Sequence, residues 1–268
     1  MTSAPSAPEI RAAVDQASWY HTLELCDGIV TPGEYDLRAL PARLPIPDSL
    51  AGRRCLDVGT RDGFWAFDME RRGAGEVVGI DIGDPRRLDW PLPIPAAFDD
   101  GVAEELARRD RAFDIAHRAL GSRVEWRDLS VYDLSAEEHG TFDFAFLGTL
   151  LLHLRDPVGA LAAIRGVMAD GGTLLVNEPI SLVLTALRRG PAANLLTLSE
   201  PFWWLPNRQA LSRYVEAAGF RIVDRGRPYL VDVGARPNLA RFSLGTVKQR
   251  LLLGGRRVPH AWVLATPR

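Results

Sequence analysis

From Arg53 onward the chain alternates short apolar runs with longer segments of mixed character. The runs at 53–58, 76–81, 122–127, 142–147, 173–178, 220–225 and 258–265 predict strands. Between them, helices are predicted from Asp62 to Arg72, stopped by Gly73, and from Asp99 to Leu120. A third opens with Asp156 as cap and Pro157 in its first turn and ends at Gly171-Gly172; a fourth runs from Asn207 to Ala218, ended by Gly219. Repeated strand–helix units predict an α/β protein: a Rossmann-like, doubly wound, mostly parallel sheet whose final strands supply an antiparallel edge. Ahead of this pattern, Ser6 and Glu9 form a capping-box signature for a helix reaching about Trp19. A turn-rich aromatic stretch follows, and Pro41, Pro45 and Pro47 lead into the first strand. We therefore divide the chain into an N-terminal helix and aromatic cap, 1–50, and a nucleotide-binding domain, 51–268. Insertions are expected near 84–100 and 180–206, the second Leu-rich, helical and lid-like.

Composition narrows the class. With 268 residues, 47% hydrophobic and 25% charged, the chain can bury a sizeable core. The net charge of −2 argues against a protein dominated by nonspecific nucleic-acid binding, although seven basic residues and no acid follow from Arg236 onward. Cys26 and Cys55 are the two cysteines and show no metal-ligand spacing, so neither a disulfide framework nor a metal is expected. There is no signal-peptide pattern and no apolar run near the ~20 residues that span a bilayer, which predicts a soluble, cytoplasmic protein. Arginine replaces lysine everywhere but Lys248, which together with abundant Ala and Pro points to a GC-rich bacterial source.

The candidate chemistry lies at the strand ends. Leu56-Asp57-Val58-Gly59-Thr60-Arg61-Asp62-Gly63 reads as strand, glycine turn and helix start, and Gly79-Ile80-Asp81 ends the next strand with an acid. Such a turn presents amides and a helix dipole to a charged ligand, and an acid at the second strand end suits ribose hydroxyls. A dinucleotide fingerprint needs G-x-G-x-x-G, which is missing here. Asp57, Gly59, Thr60, Arg61 and Gly63 are the candidates at the first strand end. Asp81 and Ile82 follow at the second, Asp128 and Leu129 at the third, and Gly148 at the fourth. Each acid has a plainer alternative as a turn or cap residue.

This layout resembles motif I of the class I S-adenosylmethionine-dependent methyltransferases, with Arg61 where the family often has a second glycine. The resemblance extends from about His21 to Gly226 and is closest to the branch containing the tRNA wobble-uridine carboxymethyltransferases. It rests on Leu56-Asp57-Val58-Gly59, Phe142-Asp143, His153-x-x-x-Pro157, Gly171-Gly172 and Ala218-Gly219-Phe220 after a Pro206-initiated helix. It implies S-adenosyl-L-methionine as cofactor, with Asp57 near its ammonium group, Asp81 on its ribose and Asp128 on its adenine amino group. The carboxymethylating members grip a carboxylated cofactor with a Lys, an Arg and a Tyr just before the loop histidine. That position is Leu152 here, and Lys248 falls far from the family's lysine. The plain cofactor and ordinary methyl transfer are implied instead.

Methyl transfer is an in-line displacement served by alignment and exclusion of water, and a hydroxyl or amine acceptor must also lose a proton. His153, just beyond the fourth strand, is the first candidate base and His21 the second, with loop anchoring as the plainer role. His260 reads as an edge-strand residue. Trp65, Trp90, Phe202, Trp203 and Trp204 are candidates for an aromatic or apolar acceptor pocket, though each ring also suits core packing. The leading expectation is a small-molecule methyltransferase of secondary metabolism. Nucleic-acid methylation and a non-catalytic cofactor-binding module are the alternatives.

Overall fold

The computed structural model describes residues 5–26, 28–90, 111–196, 202–232 and 257–268. Four expectations therefore lie wholly or partly outside the described residues: the insertion near 84–100 beyond residue 90, the helix start at Asp99, residues 197–201 of the Leu-rich insertion, and most of the basic tail.

Helix α1 (Ala7–Asp15) opens as the sequence predicts: the Ser6 amide donates to the Glu9 carboxylate at 2.7 Å. It stops short of Trp19, whose buried indole instead donates to the carbonyl of Val14. Then β1 (Arg54–Val58), α2 (Phe64–Arg71) and β2 (Glu76–Asp81) form the first strand–helix–strand unit. A helix α3 (111–120), β3 (Glu125–Asp128) and a short α4 (Ala136–His139) follow. Beyond them come β4 (Phe142–Gly148), α5 (Pro157–Gly166), β5 (Met168–Pro179) and α6 (Leu182–Leu187). The remaining elements are β6 (Ala193–Leu195), β7 (Trp204–Pro206), α7 (Arg208–Ala217), β8 (Phe220–Arg225), β9 (Tyr229–Asp232) and β10 (Arg257–Pro267).

The main sheet runs β3-β2-β1-β4-β5-β10-β8, with β9 also paired to β10. Strands β1 to β5 are mutually parallel where they pair, and β10 is antiparallel to β5, β8 and β9. Strand order reverses between β1 and β4, which places a crevice beside the carboxyl end of β1. Successive residues of each central strand enter opposite cores. Cys55, Phe144, Phe146 and Leu175 pack with α2 and α3, whereas Leu56, Val58, Ala145, Leu147 and Val176 pack with α5 and α7. Apolar residues of the first fifty, among them Trp19, Leu23, Leu40 and Leu50, belong to the first of these cores.

Besides the shorter α1, two later segments depart from the sequence reading. α5 ends at Gly166, and Gly171-Gly172 lies inside β5. Met168 pairs with Phe142 and Thr173 with Phe144, so the glycine pair sits where the register shifts. Among the described residues of the 180–206 insertion, only α6 is helical, and 193–195 pairs with 204–206 as an antiparallel ribbon.

Candidate functional site

The turn between β1 and α2 is built by Asp57. Its carboxylate, 1% exposed, accepts from the Thr60 hydroxyl at 2.7 Å and from the Ala66 amide at 3.1 Å. Both bonds fall on Oδ2, so the group keeps acceptor capacity. Burial pushes its pKa up to about 7, against the pull of the Thr60 hydrogen bond. Gly59 has φ +77°, and a side chain there would press on Leu150 at 3.3 Å. Arg61 adopts φ +51°, the left-handed conformation that a glycine would take at less cost. Its guanidinium lies 5.4 Å from the Tyr20 ring centroid.

Asp62 was expected to begin the helix; it does something else. Gly63 (φ +89°) caps α2, and the buried Asp62 carboxylate turns back to the N-terminal segment. It accepts from the amides of Tyr20 (2.9 Å) and His21 (2.7 Å) and is paired to the His21 ring. Burial works to raise the Asp62 pKa, but the His21 interactions and the Arg61 charge outweigh it and leave it lowered. The segment carrying His21 is itself tied to Tyr35 by a parallel bridge, in which the Thr22 amide donates to the Tyr35 carbonyl and the Tyr35 amide to the Tyr20 carbonyl.

At the end of β2 the two oxygens of Asp81 accept separately from the Arg61 and Ile82 amides, each at 2.8 Å. At the end of β3, the Leu129 amide donates to the Asp81 carbonyl. At the end of β5, buried Glu178 accepts from the amides of Leu150 and Leu151. It thereby fixes the 3₁₀ turn (Leu151–His153) that carries His153. Desolvation raises its pKa to about 8.

These strand ends open on a cavity of about 450 Å³ among the described residues. Of the sequence candidates, it is lined by His21, Asp57, Gly59, Arg61, Trp65, Asp81, Ile82, Leu129, Gly148, His153 and Phe202. The His153 ring lies against Phe202, with centroids 4.8 Å apart. Trp65 is both wall and core: it is 6% exposed and packs on Phe146 at 4.2 Å.

The other candidates fall outside the lining. Thr60 is buried against Gly79, where it braces the turn through its hydroxyl. Gly63 is taken up by the start of α2, and its open side faces Phe67. Asp128 is captured by the Arg87 guanidinium and the Gly83 amide, because β3 ends in register with β2 and points its carboxylate at the following loop. Trp203 and Trp204 donate their indole N–H groups to the carbonyls of Asp89 and Arg155, and Trp90 accepts from Arg155 through its own carbonyl. The Trp203 ring thereby braces the loop that brings Asp89 to the cavity.

Sequence reading missed a group of wall residues. His260 is no edge residue, since β10 is paired on both sides at this point. It is 3% exposed and lines the cavity beside Thr149 and Asn177. Asn177 accepts from the Tyr229 hydroxyl at 2.6 Å. The positive φ of Thr149 (+56°) is invisible in a Gly-Thr-Leu sequence. The Asn-Glu-Pro ending of β5 was the one local signal, because polar residues closing a buried strand need partners.

A family model described as a methyltransferase domain matches residues 32–225. The chain is 31% identical to a tRNA U34 carboxymethyltransferase of Methylococcus capsulatus over 178 residues, 64% of this chain and 46% of that protein. It is 32% identical to a ubiquinone biosynthesis O-methyltransferase of Xanthomonas euvesicatoria over 149 residues, 56% of this chain and 49% of that one. The chain thus spans about half the length of the curated relatives it matches. Among solved structures, the N-terminal domain of EvdMO1 in the presence of SAH and D-fucose superposes with a TM-score of 0.61, covering 100% of both chains at 17% identity. That likeness is one of fold.

Proposed function

The chain belongs to the methyltransferase-domain family, and on that premise we propose that it transfers the methyl group of S-adenosylmethionine to a small, aromatic or apolar acceptor. The observation that carries this reading is the shared cavity, in which the strand-end acids and an aromatic wall face the same space.

The donor set fits the cofactor. Asp81 retains acceptor capacity beyond its two amide bonds, which suits a ribose diol. Asp57 suits an ammonium group, and Gly59 leaves room for close approach beside it. Ile82 and Leu129 offer apolar faces to a purine. When bound, the sulfonium supplies an electrophilic methyl group. The chain's own residues orient the acceptor, exclude water and accept its hydrogen bonds.

Size supports a small acceptor, since about 450 Å³ lies near the low end of ligand-sized cavities and both molecules must share it. Leu152, buried on the wall where the carboxymethylating branch has a tyrosine, supports a plain methyl group. Calorimetry with S-adenosylmethionine and S-adenosylhomocysteine tests the cofactor, with micromolar binding of both expected. Absence of both heats would sink the reading.

The relatives active on tRNA favour a second reading, nucleic-acid methylation. It would show itself as RNA binding whose affinity falls steeply with salt.

A further inference from the structure

Beyond the end of β4, the cavity wall carries a hydrogen-bonded pair of side chains, Thr149 and His260. His260 Nδ1 lies 3.0 Å from the Val258 carbonyl, and that contact requires the proton on Nδ1. Nε2 is then an acceptor, and it faces the Thr149 hydroxyl at 3.3 Å. With its proton turned toward His260, the Thr149 oxygen retains lone pairs for a cavity occupant.

The backbone holds this hydroxyl in place at a cost. Thr149 sits at φ +56° immediately after β4, and its amide is tied to the Asn177 carbonyl at 3.0 Å. A β-branched residue in that conformation is strained, and such strain persists where surrounding structure over-determines it. The position is also informative, because it adjoins Gly148 at the mouth of the switch-point crevice.

Among its described lining residues, this wall carries no formal positive charge. Its polar side chains, Thr149, Asn177 and His260, sit among Val231, Val258 and Pro179. Burial pushes the His260 imidazole down to about 4, so it is neutral at physiological pH and too weak a base to serve as a proton sink. Among the described lining residues the guanidinium groups are Arg61, in the glycine turn, and Arg87, held by Asp128.

We infer that Thr149, positioned by His260, is the hydrogen-bond anchor for the methyl acceptor, and that it selects a neutral hydroxyl-bearing molecule over a carboxylate. This rests on the reading of the cavity as a shared cofactor and acceptor site. The acceptor's O–H donates to Thr149 Oγ1, whose own proton stays on Oγ1 and is donated to His260 Nε2, so the contact anchors and transfers no proton. His260 is thus a positioning residue.

The test is nitrogen-15 NMR of histidine-labelled full chain saturated with S-adenosylhomocysteine, titrated with phenol and, separately, with benzoate. In the starting complex His260 should show a protonated Nδ1 and a bare Nε2. Phenol should shift the Nε2 resonance and benzoate should not. Thr149→Val, which keeps the shape and the β-branch, should weaken phenol binding about tenfold without changing S-adenosylhomocysteine affinity; Thr149→Ser should restore it. If S-adenosylhomocysteine binds but phenol leaves His260 unmoved, or benzoate binds as well as phenol, the anchor falls alone. If S-adenosylhomocysteine does not bind to the wild-type chain, the cavity reading and this proposal fall together.

Discussion

Asp62 holds His21 across forty-one residues of chain, accepting from its amide at 2.7 Å and pairing with its ring. The contact fastens the N-terminal segment to the same turn that Asp57 builds, so the cap and the strand-end site stand or fall together. His21 therefore reaches the cavity already engaged.

Asp62→Ala should be among the most destabilising single changes. It strands two buried backbone N–H groups and the His21 ring, at a cost on the order of 3 kcal/mol. Urea unfolding should show the loss, and S-adenosylhomocysteine affinity should fall with it. The lowered Asp62 pKa adds a pH signature. Stability from this group is complete above the ordinary aspartate range and is lost as pH falls through the folded value. An Ala variant as stable as wild type would remove the latch from this account.

Asp81→Asn should separate binding from folding. The single carbonyl oxygen of the amide keeps one of the two backbone bonds while its nitrogen faces the other N–H, and the charge and half the acceptor capacity offered to a diol are lost. We expect about a hundredfold weaker S-adenosylhomocysteine binding by calorimetry, with a fall in melting temperature of only a few degrees from the one backbone bond lost. Unchanged affinity would take Asp81 out of the ribose site.

Glu178 makes the opposite pH prediction. Its folded pKa, about 8, lies above the ordinary glutamate value of 4.5. Between those values the folded state holds a proton that the unfolded chain has released. Stability from this group is therefore complete below about pH 4.5 and is lost as pH rises through about 8. Glu178→Gln mimics the protonated side chain and should gain on wild type steadily across that window. Parallel stability curves for the two proteins would contradict the assignment.

Trp65 and Phe202 should divide core from pocket. Trp65→Ala removes a ring packed on Phe64 and Phe146 and should cost about 3–5 kcal/mol. Phe202 is half-buried and touches His153. Phe202→Ala should leave thermal stability within a few degrees and raise KM for the acceptor more than it lowers kcat. A large stability loss in the Phe202 variant would make that ring structural.

Much of this molecule was legible before folding was considered. The glycine turn, Asp81 at the end of β2, the Asn207 cap on α7 and the Ser6–Glu9 box all reflect local backbone needs. An unpaired amide at a helix start, or a left-handed φ, demands a small set of residues close by in sequence. The alternation of elements likewise follows from hydrophobic period.

What remained hidden depended on register and on partners far along the chain. Asp62 looked like a helix opener because nothing nearby marks two amides forty residues upstream. Nothing near Asp128 in sequence marked its pairing with Arg87, which the loop after β2 brings to it. His260 looked peripheral because a strand carries no label for its neighbours; only the pairing of β10 with both β5 and β9 turns its imidazole into the cavity. By itself the sequence determined most of the elements, their caps and the glycine turn, because short-range sterics and hydrogen bonding suffice for those. The tertiary structure alone decided which side chains share the cavity with that turn, because a one-residue change of strand register reverses the face each of them presents.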